Sequence, residues 1–442
     1  MAVSLGMNRA IHVFVSPLAG KDEEKAVYLV RRFLTLRFVL GLAAAAILFL
    51  FAAPIMSALG QPRVGGLLKW MGPYVISIGL TNLFFANFSD RLDMKNPRLV
   101  KAAIQMVNAI GAVWIYRYGG GAGIVLTLLS LTVTLTALAM AWMSRALITG
   151  PAGHGDLEGI RSYCASQTVM EVLAFILGKN ADIILLNLLL AGTLQVGYYS
   201  VAAALTLVIS TMLIAGAGDI ALSATSIMVQ RGDPDQLRLA WRFRIKTSML
   251  LTVPFMVYGF AVAPEIVGTL LDRTYLPAAD VFRVAIGGQI FISLLGGGAH
   301  GDILLSSERH RTVRNLSVGS GAVNVALNLI LIPLWGASGA AAATAAALLV
   351  LAEYSALRRI HPVSLPGRSM GSILAASVLA AAAVVWFPLH RWAFLAASGA
   401  GFVLVFGLLA WWLKPYDAED VPVFERIGAP FDRLERWLTA RG

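Results

Sequence analysis

Apolar runs long enough to cross a bilayer recur from one end of this 442-residue chain to the other. No other feature limits its fold so strongly. A helix needs about 20 mostly apolar residues to span the hydrocarbon core. In lipid every backbone polar group must be satisfied within the protein, which leaves helices or closed barrels. The runs lack the roughly ten-residue alternation of barrel strands. Charged residues make up only 13% of the chain, against about 25% in a soluble domain. The sequence therefore predicts an all-α polytopic membrane protein.

Reading the runs between charged or Gly/Pro breaks predicts about twelve spans. They lie near 34–59, 67–88, 99–117, 122–143, 164–191, 197–222, 245–271, 281–305, 314–335, 337–357, 370–388 and 393–413. The charged, weakly amphipathic tail from Lys414 reads as a surface helix or a partly disordered segment. Most of the 35 Lys and Arg fall in the N-terminal segment, in alternate loops (91–101, 145–161, 231–246, 309–314 and 358–368) and in the tail. Arg63, Lys69, Arg117, Arg273, Arg283 and Arg391 fall on the other side. By the positive-inside rule both termini are cytoplasmic in a bacterial inner membrane. The formal charge of +11 is thus a topology signal, not a nucleic-acid footprint. The outward loops are too short to hold a folded domain, which counts against a membrane enzyme of glycan polymerisation.

An internal repeat is also visible. Val30-Arg31-Arg32-Phe33 parallels Ala240-Trp241-Arg242-Phe243, and Ala53-Pro54 parallels Ala263-Pro264 at the same offset. Further on, Gly119 parallels Gly336 and Thr127 parallels Thr344 at a slightly longer one. Two bundles of the same topology suit a transporter with a site between two lobes. The expected organisation is a first lobe at 1–150, a second at 151–360, two additional helices at 361–413 and a cytoplasmic tail at 414–442. Met1 aligns within the second copy, so the repeat leads us to expect that about fifty residues, an N-terminal helix and a half, are missing from the first lobe.

Ionisable groups inside spans are costly and are candidates for function. Lys179 and Asp182 lie mid-span at i,i+3, on one helix face. Either they face a water-filled cavity, with Lys179 meeting an anionic headgroup and Asp182 orienting it or holding a coupling cation, or they form an internal ion pair. Glu171 would join that face or act as polar glue between helices. Asn324 and Asn328, at i,i+4, would hydrogen-bond across helices or contact a sugar. Arg283 would line a cavity mouth or anchor at the interface. The Gly-rich stretch from Gly296 to His300 suits close helix packing, with His300 a satisfied packing residue. Asp219 and Glu353 read as hydrated rim positions. The single cysteine, Cys164, excludes a disulfide framework. No metal, nucleotide or catalytic-triad motif appears, and no cofactor is expected.

The stretch Gly178-Lys179-Asn180-Ala181-Asp182-Ile183, followed by Val196-Gly197-Tyr198-Tyr199-Ser200, resembles the start of the second lobe in polysaccharide-type flippases. So does Val323-Asn324-Val325-Ala326-Leu327-Asn328 with its end Pro333-Leu334-Trp335-Gly336. These proteins belong to the multidrug/oligosaccharidyl-lipid/polysaccharide exporter superfamily. The resemblance implies a two-lobed, alternating-access flippase, not an enzyme, with a cationic central cavity that suits Lys179. Its substrate would be an undecaprenyl-pyrophosphate-linked oligosaccharide, moved from the cytoplasmic to the periplasmic leaflet for exopolysaccharide, capsule or O-antigen synthesis. Its partners would be membrane lipids, a coupling cation (H+ or Na+) and polysaccharide polymerase or assembly proteins. An ion-coupled antiporter of drugs or small molecules from the same superfamily is the second reading, and the membrane enzyme is the third.

Overall fold

The structure is a computed structural model. It describes residues 7–15, 22–58, 62–68, 71–90, 95–145, 179–190, 193–212, 234–297, 299–306, 309–347, 350–361, 364–386, 391–416 and 420, with the single positions 18, 151, 153, 160, 164, 165, 168 and 171. These residues form helices and turns, with no strand among them. Among the described residues six helices are long and apolar enough to cross a membrane, and a bent pair makes a seventh. The fold is a polytopic bundle of membrane helices, and it divides into two compact units, Met1–Leu173 and Ala174–Gly442. Asp219 lies outside the described residues.

In the first unit α1 (Met7–Ala10) leads into a π-turn at Ile11–Val15. There follow α2 (Glu23–Ala58), α3 (Pro62–Leu68), α4 (Gly72–Asp90), α5 (Lys95–Arg117) and α6 (Ala122–Met143). Met7, Ile11, Leu29, Phe33 and Leu83 form a buried core between α1, the π-turn, α2 and α4. Arg37 of α2 is buried, and a Cβ on Gly79 of α4 would stand 2.8 Å from its Nε. Gly79 thus makes room for a guanidinium within the bundle. Thr132, Thr134 and Thr136 of α6 donate back to carbonyls four residues earlier, and Ser77 of α4 bonds Thr134 at 3.0 Å. Small hydroxyl residues are suited to such interfaces because lipid gives helices no hydrophobic reason to associate.

The second unit holds α7 (Lys179–Leu190), α8 (Thr193–Met212), α9 (Pro234–Ala261), α10 (Ala263–Leu270) and α11 (Ala278–Leu294). It continues with α12 (Ala299–Ser306), α13 (His310–Ala346), α14 (Val350–Arg358), α15 (Gly367–Val384) and α16 (Arg391–Leu413). Leu186, Tyr199, Met256, Phe282, Ile286 and Ile332 lie in the core where α7, α8, α9, α11 and α13 meet.

Four of the spans read from the sequence take different forms. The run 245–271 bends by 76° between α9 and α10. Pro264 stands in the first turn of α10, where its missing N–H breaks no helical bond and its fixed φ starts a new helix. The run 281–305 stops at Gly296 and Gly297, with φ of +93° and +50°. A Cβ on Gly296 would lie 2.7 Å from Cε1 of His300, so a side chain is excluded by both space and backbone. His300 is fully buried, bonds the carbonyl of Leu295 at 2.6 Å and packs against Trp241 and Tyr354.

The runs 314–335 and 337–357 meet in α13, which is a hairpin of two helices. Gly336 is non-helical at φ 59°, ψ −133°, a region open almost only to glycine. Ser320 hydrogen-bonds the carbonyl of Ala347, Asn324 faces Thr344, and a Cβ on Gly339 would fall 2.1 Å from the carbonyl oxygen of Leu331. Ala337, Ala340, Ala341 and Ala343 are buried on the returning half, where small side chains let the two backbones approach. In the first unit the repeat partner Gly119 also has positive φ, +75°, in the turn between α5 and α6.

The residues just after α16 pack back on α9. Tyr416 and Asp420 are buried, Asp420 pairs with Lys246 at 2.6 Å, and the Tyr416 hydroxyl bonds Thr247 at 2.9 Å. These described tail residues are therefore not a loose surface segment.

Candidate functional site

Asp182 stands in the first turn of α7 and is fully buried. A bare carboxylate would be very costly at such a place. Here four groups donate to it. Asn324 Nδ2 reaches Oδ1 at 2.9 Å and Asn328 Nδ2 reaches the same oxygen at 2.6 Å. Thr344 Oγ1 reaches Oδ2 at 2.8 Å, and the Tyr199 hydroxyl bonds Oδ2 as well.

Three elements are required for this arrangement. The i,i+4 spacing on the outgoing half of α13 puts Asn324 and Asn328 on one face. The reversal at Gly336 brings Thr344 back beside Asn324, 3.5 Å from its Oδ1. α8 supplies Tyr199, and also Gln195, whose Oε1 accepts from the N–H of Ala337 at 2.9 Å. That bond satisfies one of the backbone donors exposed where the returning helix begins.

The four donors are neutral, so the cluster carries the single negative charge of Asp182 when that group is ionised. Asn328 Oδ1 is buried with no hydrogen-bond partner among the described residues. Such an atom calls for an explanation. Two amides, a hydroxyl and a carboxylate together offer the oxygen atoms that a hard cation prefers, provided the amides turn their oxygens inward.

The sequence candidates separate. Asp182, Asn324 and Asn328 come together. Lys179 is the first residue of α7, and its side chain lies outside what the structure describes. Glu171 belongs to the first unit, half-buried, where it interacts electrostatically with Arg37. Arg283 of α11 donates from Nε to the carbonyl of Phe260 at 3.2 Å and lies 3.7 Å from Asp280. Its side chain is 37% exposed, and among the described residues none of its hydrogen bonds or ion pairs goes to the Asp182 cluster. Glu353 is half-buried in the first turn of α14, 3.5 Å from where a Cβ on Gly301 would stand. Sequence reasoning did not single out Tyr199 as a site residue. The available signal was a phenol on an apolar helix, which when buried needs a partner for its hydroxyl.

The fold and this buried cluster define a polytopic α-helical membrane protein whose second unit holds a carboxylate under neutral donors. The chain belongs to the family described as "Polysaccharide biosynthesis protein", whose model matches residues 15–280. Among solved structures it is similar to "Lipid II flippase MurJ, inward closed conformation", with a TM-score of 0.69 at 14% identity. That likeness covers 92% of this chain and 91% of the other. No curated protein sequence matches the chain.

Proposed function

We propose that this protein is a flippase for a lipid-linked oligosaccharide. It moves an undecaprenyl-pyrophosphate-linked glycan from the cytoplasmic to the periplasmic leaflet of the inner membrane, with both termini cytoplasmic. The single observation that carries this reading is the family match over residues 15–280 on a fold shared with a lipid II flippase. The glycan would feed a surface polysaccharide and be handed to a polymerase. Lys179 would meet the pyrophosphate, with transport by alternating access between the two units.

The Asp182 cluster supports cation coupling. With only neutral donors around it, the carboxylate of Asp182 would be balanced, when ionised, by one positive charge. Asp182, Asn324, Asn328 and Thr344 would hold H+ or Na+. The buried Oδ1 of Asn328 fits such an ion, and a potential of 100 mV supplies about 2.3 kcal/mol per charge moved. The same cluster suits an antiporter of small molecules, which is the second reading.

The test is a deletion strain complemented with wild type, Lys179→Ala or Asp182→Asn, assayed for surface polymer and for the leaflet of its lipid-linked intermediates. The reading expects loss of polymer with intermediates stranded on the cytoplasmic face, rescued by wild type alone. Normal polymer and intermediates in the deletion strain would remove it and put the antiporter first.

A further inference from the structure

The residues that follow α16 dock on α9 just before its weakest point. α9 is 28 residues long, about 42 Å, which exceeds the roughly 30 Å hydrocarbon core. Pro254 stands inside it. A proline has no N–H to give the carbonyl four residues back, here that of Leu250, and its ring crowds that carbonyl. Tyr416 and Asp420 sit on the half before this break. The Tyr416 ring packs on Leu250 and on Phe243, with 5.6 Å between ring centroids. Its hydroxyl meets Thr247, and Asp420 meets Lys246. α16 itself holds the half after the break. Its Phe402 packs on Phe255 and Tyr258, and Ser398 bonds the Tyr258 hydroxyl at 2.8 Å. Tyr416 and Asp420 thus bridge the proline.

A second joint lies beside the first. α11 and α12 are connected through Gly296 and Gly297, both at positive φ. A cavity of about 240 Å³ lies in the crease, lined by Arg244, Ser248 and Thr252 before Pro254, by Met256 after it, and by the two glycines. At 3.6 residues per turn, Arg244, Ser248 and Thr252 point away from the face of Phe243, Thr247 and Leu250. The cavity and the docked tail residues are therefore on opposite sides of α9. Trp241, Ile245 and Met249 share one core with Ile303 and Leu304 of α12, so the first half of α9 moves with α12. α15 packs on both halves. Its buried Ala376, Ser377 and Ala380 are small, which suits the slight sliding of packed helices.

The fastening is polar where the neighbouring cores are apolar. Two buried charges lose hydration that their attraction only partly returns. Parting them in water restores it, so the docked and parted forms lie close in free energy, whereas an apolar seal would stay shut. A joint, a cavity to move into and a polar fastening on the opposite face together make a movable element. We propose that Tyr416 and Asp420 are a releasable strap. Docked, they hold the first half of α9 to α16 across Pro254. Released, they let that half swing with α12 about Pro254 and the Gly296–Gly297 joint, toward the cavity. The movement belongs to the second unit alone, and its use as a gating step in transport rests on the flippase reading.

The experiment uses the full chain with Cys164→Ser, in lipid nanodiscs, carrying spin labels at Arg238→Cys and Leu404→Cys. These are exposed positions on α9 before the break and on α16. Distances between the labels are measured by pulsed electron spin resonance. Two populations are expected without further change. Lys246→Met with Asp420→Leu, an apolar seal, should leave the docked population alone. Asp420→Asn and Tyr416→Phe should each enlarge the released one. Tyr416→Phe keeps a ring against Phe243 and decides if Asp420→Asn does not fold. One population that none of these changes moves overturns the strap, and so does an apolar seal that still shows two. The same variants, unlabelled, are assayed for surface polymer in the deletion strain. The apolar seal is expected to lose polymer. Normal polymer from a chain held in the docked population overturns the gating role and leaves the flippase reading standing. If the deletion strain itself makes normal polymer, the flippase reading falls and the distances still decide the strap.

Discussion

Asn324 and Thr344 stand twenty residues apart in the chain and meet across a helical hairpin, each donating a hydrogen bond to Asp182. The carboxylate is the common acceptor that ties the two halves of α13 to α7 and α8. Hydrogen bonds to charged groups contribute about 1.5–3 kcal/mol each. Asn328→Ala is expected to lower stability by about that much, since it removes one donor and leaves space beside the charge. A double-mutant cycle of Asn328→Ala with Thr344→Val, read from thermal unfolding in detergent, should give a non-additive result because both act on one acceptor. Additive losses would mean that the cluster is not a cooperative unit.

Asp182→Asn keeps the size of the side chain and removes its charge. It is expected to preserve the fold and to abolish the dependence of transport on a proton or sodium gradient. Transport in proteoliposomes with imposed gradients of each ion checks this. A variant that still responds to the same gradient as wild type would place the coupling charge elsewhere.

The hairpin depends on one backbone. At Gly336, φ 59° and ψ −133° suit glycine, and a Cβ there would stand 2.7 Å from Gln195 Oε1. Strain of this kind costs about 1–3 kcal/mol, and the contact also displaces the bond that the Ala337 N–H donates to Gln195. Gly336→Ala should therefore destabilise by more than Gly319→Ala, since a Cβ on Gly319 meets nothing within 4 Å. Equal unfolding midpoints for the two variants would show that the turn tolerates a side chain.

The membrane class, many of the helices and three residues of the Asp182 cluster were legible in the sequence because each rests on local pattern. Apolar length announces a span, i,i+4 spacing pairs Asn324 with Asn328, and a mid-span carboxylate marks Asp182. The repeat offset even aligned Gly336 with Gly119, and both have positive φ. What stayed hidden depends on distant pairing. Lys246 reads as one more positive residue in a basic loop, yet it meets Asp420 from 174 residues away. Arg244 reads the same way and lines a cavity. Periodicity places a residue on a face of its own helix but does not say which other helix covers that face.

The tail contact makes a pH-dependent prediction. Burial raises the Tyr416 phenol to about 12, and the nearby charge of Asp420 adds to this, while the bond with Thr247 opposes it. Below pH 10 the phenol is protonated in both the folded and unfolded chain, so its contribution is complete. Between about pH 10 and pH 12 the unfolded chain ionises first, and stability falls by up to about 3 kcal/mol. The difference in absorbance titration between wild type and Tyr416→Phe should report one phenol ionising near pH 12. An ordinary tyrosine value would mean that the tail is not docked.

The ion pair beside that phenol should behave as a buried one. Lys246 and Asp420 are 1% and 3% exposed at their side chains and 2.6 Å apart. Removing one member of such a pair leaves the other charge without its partner and costs about 3–5 kcal/mol. Replacing both with apolar residues is often neutral or better, because neither charge then needs to leave water. Lys246→Met and Asp420→Leu alone should each lower the unfolding midpoint, and Lys246→Met with Asp420→Leu should recover most of the loss. The recovery separates a desolvated pair from a surface one, whose members contribute about 0–1 kcal/mol and would give two small, additive changes. A double variant less stable than either single one would mean that each side chain makes its main contribution through some other contact.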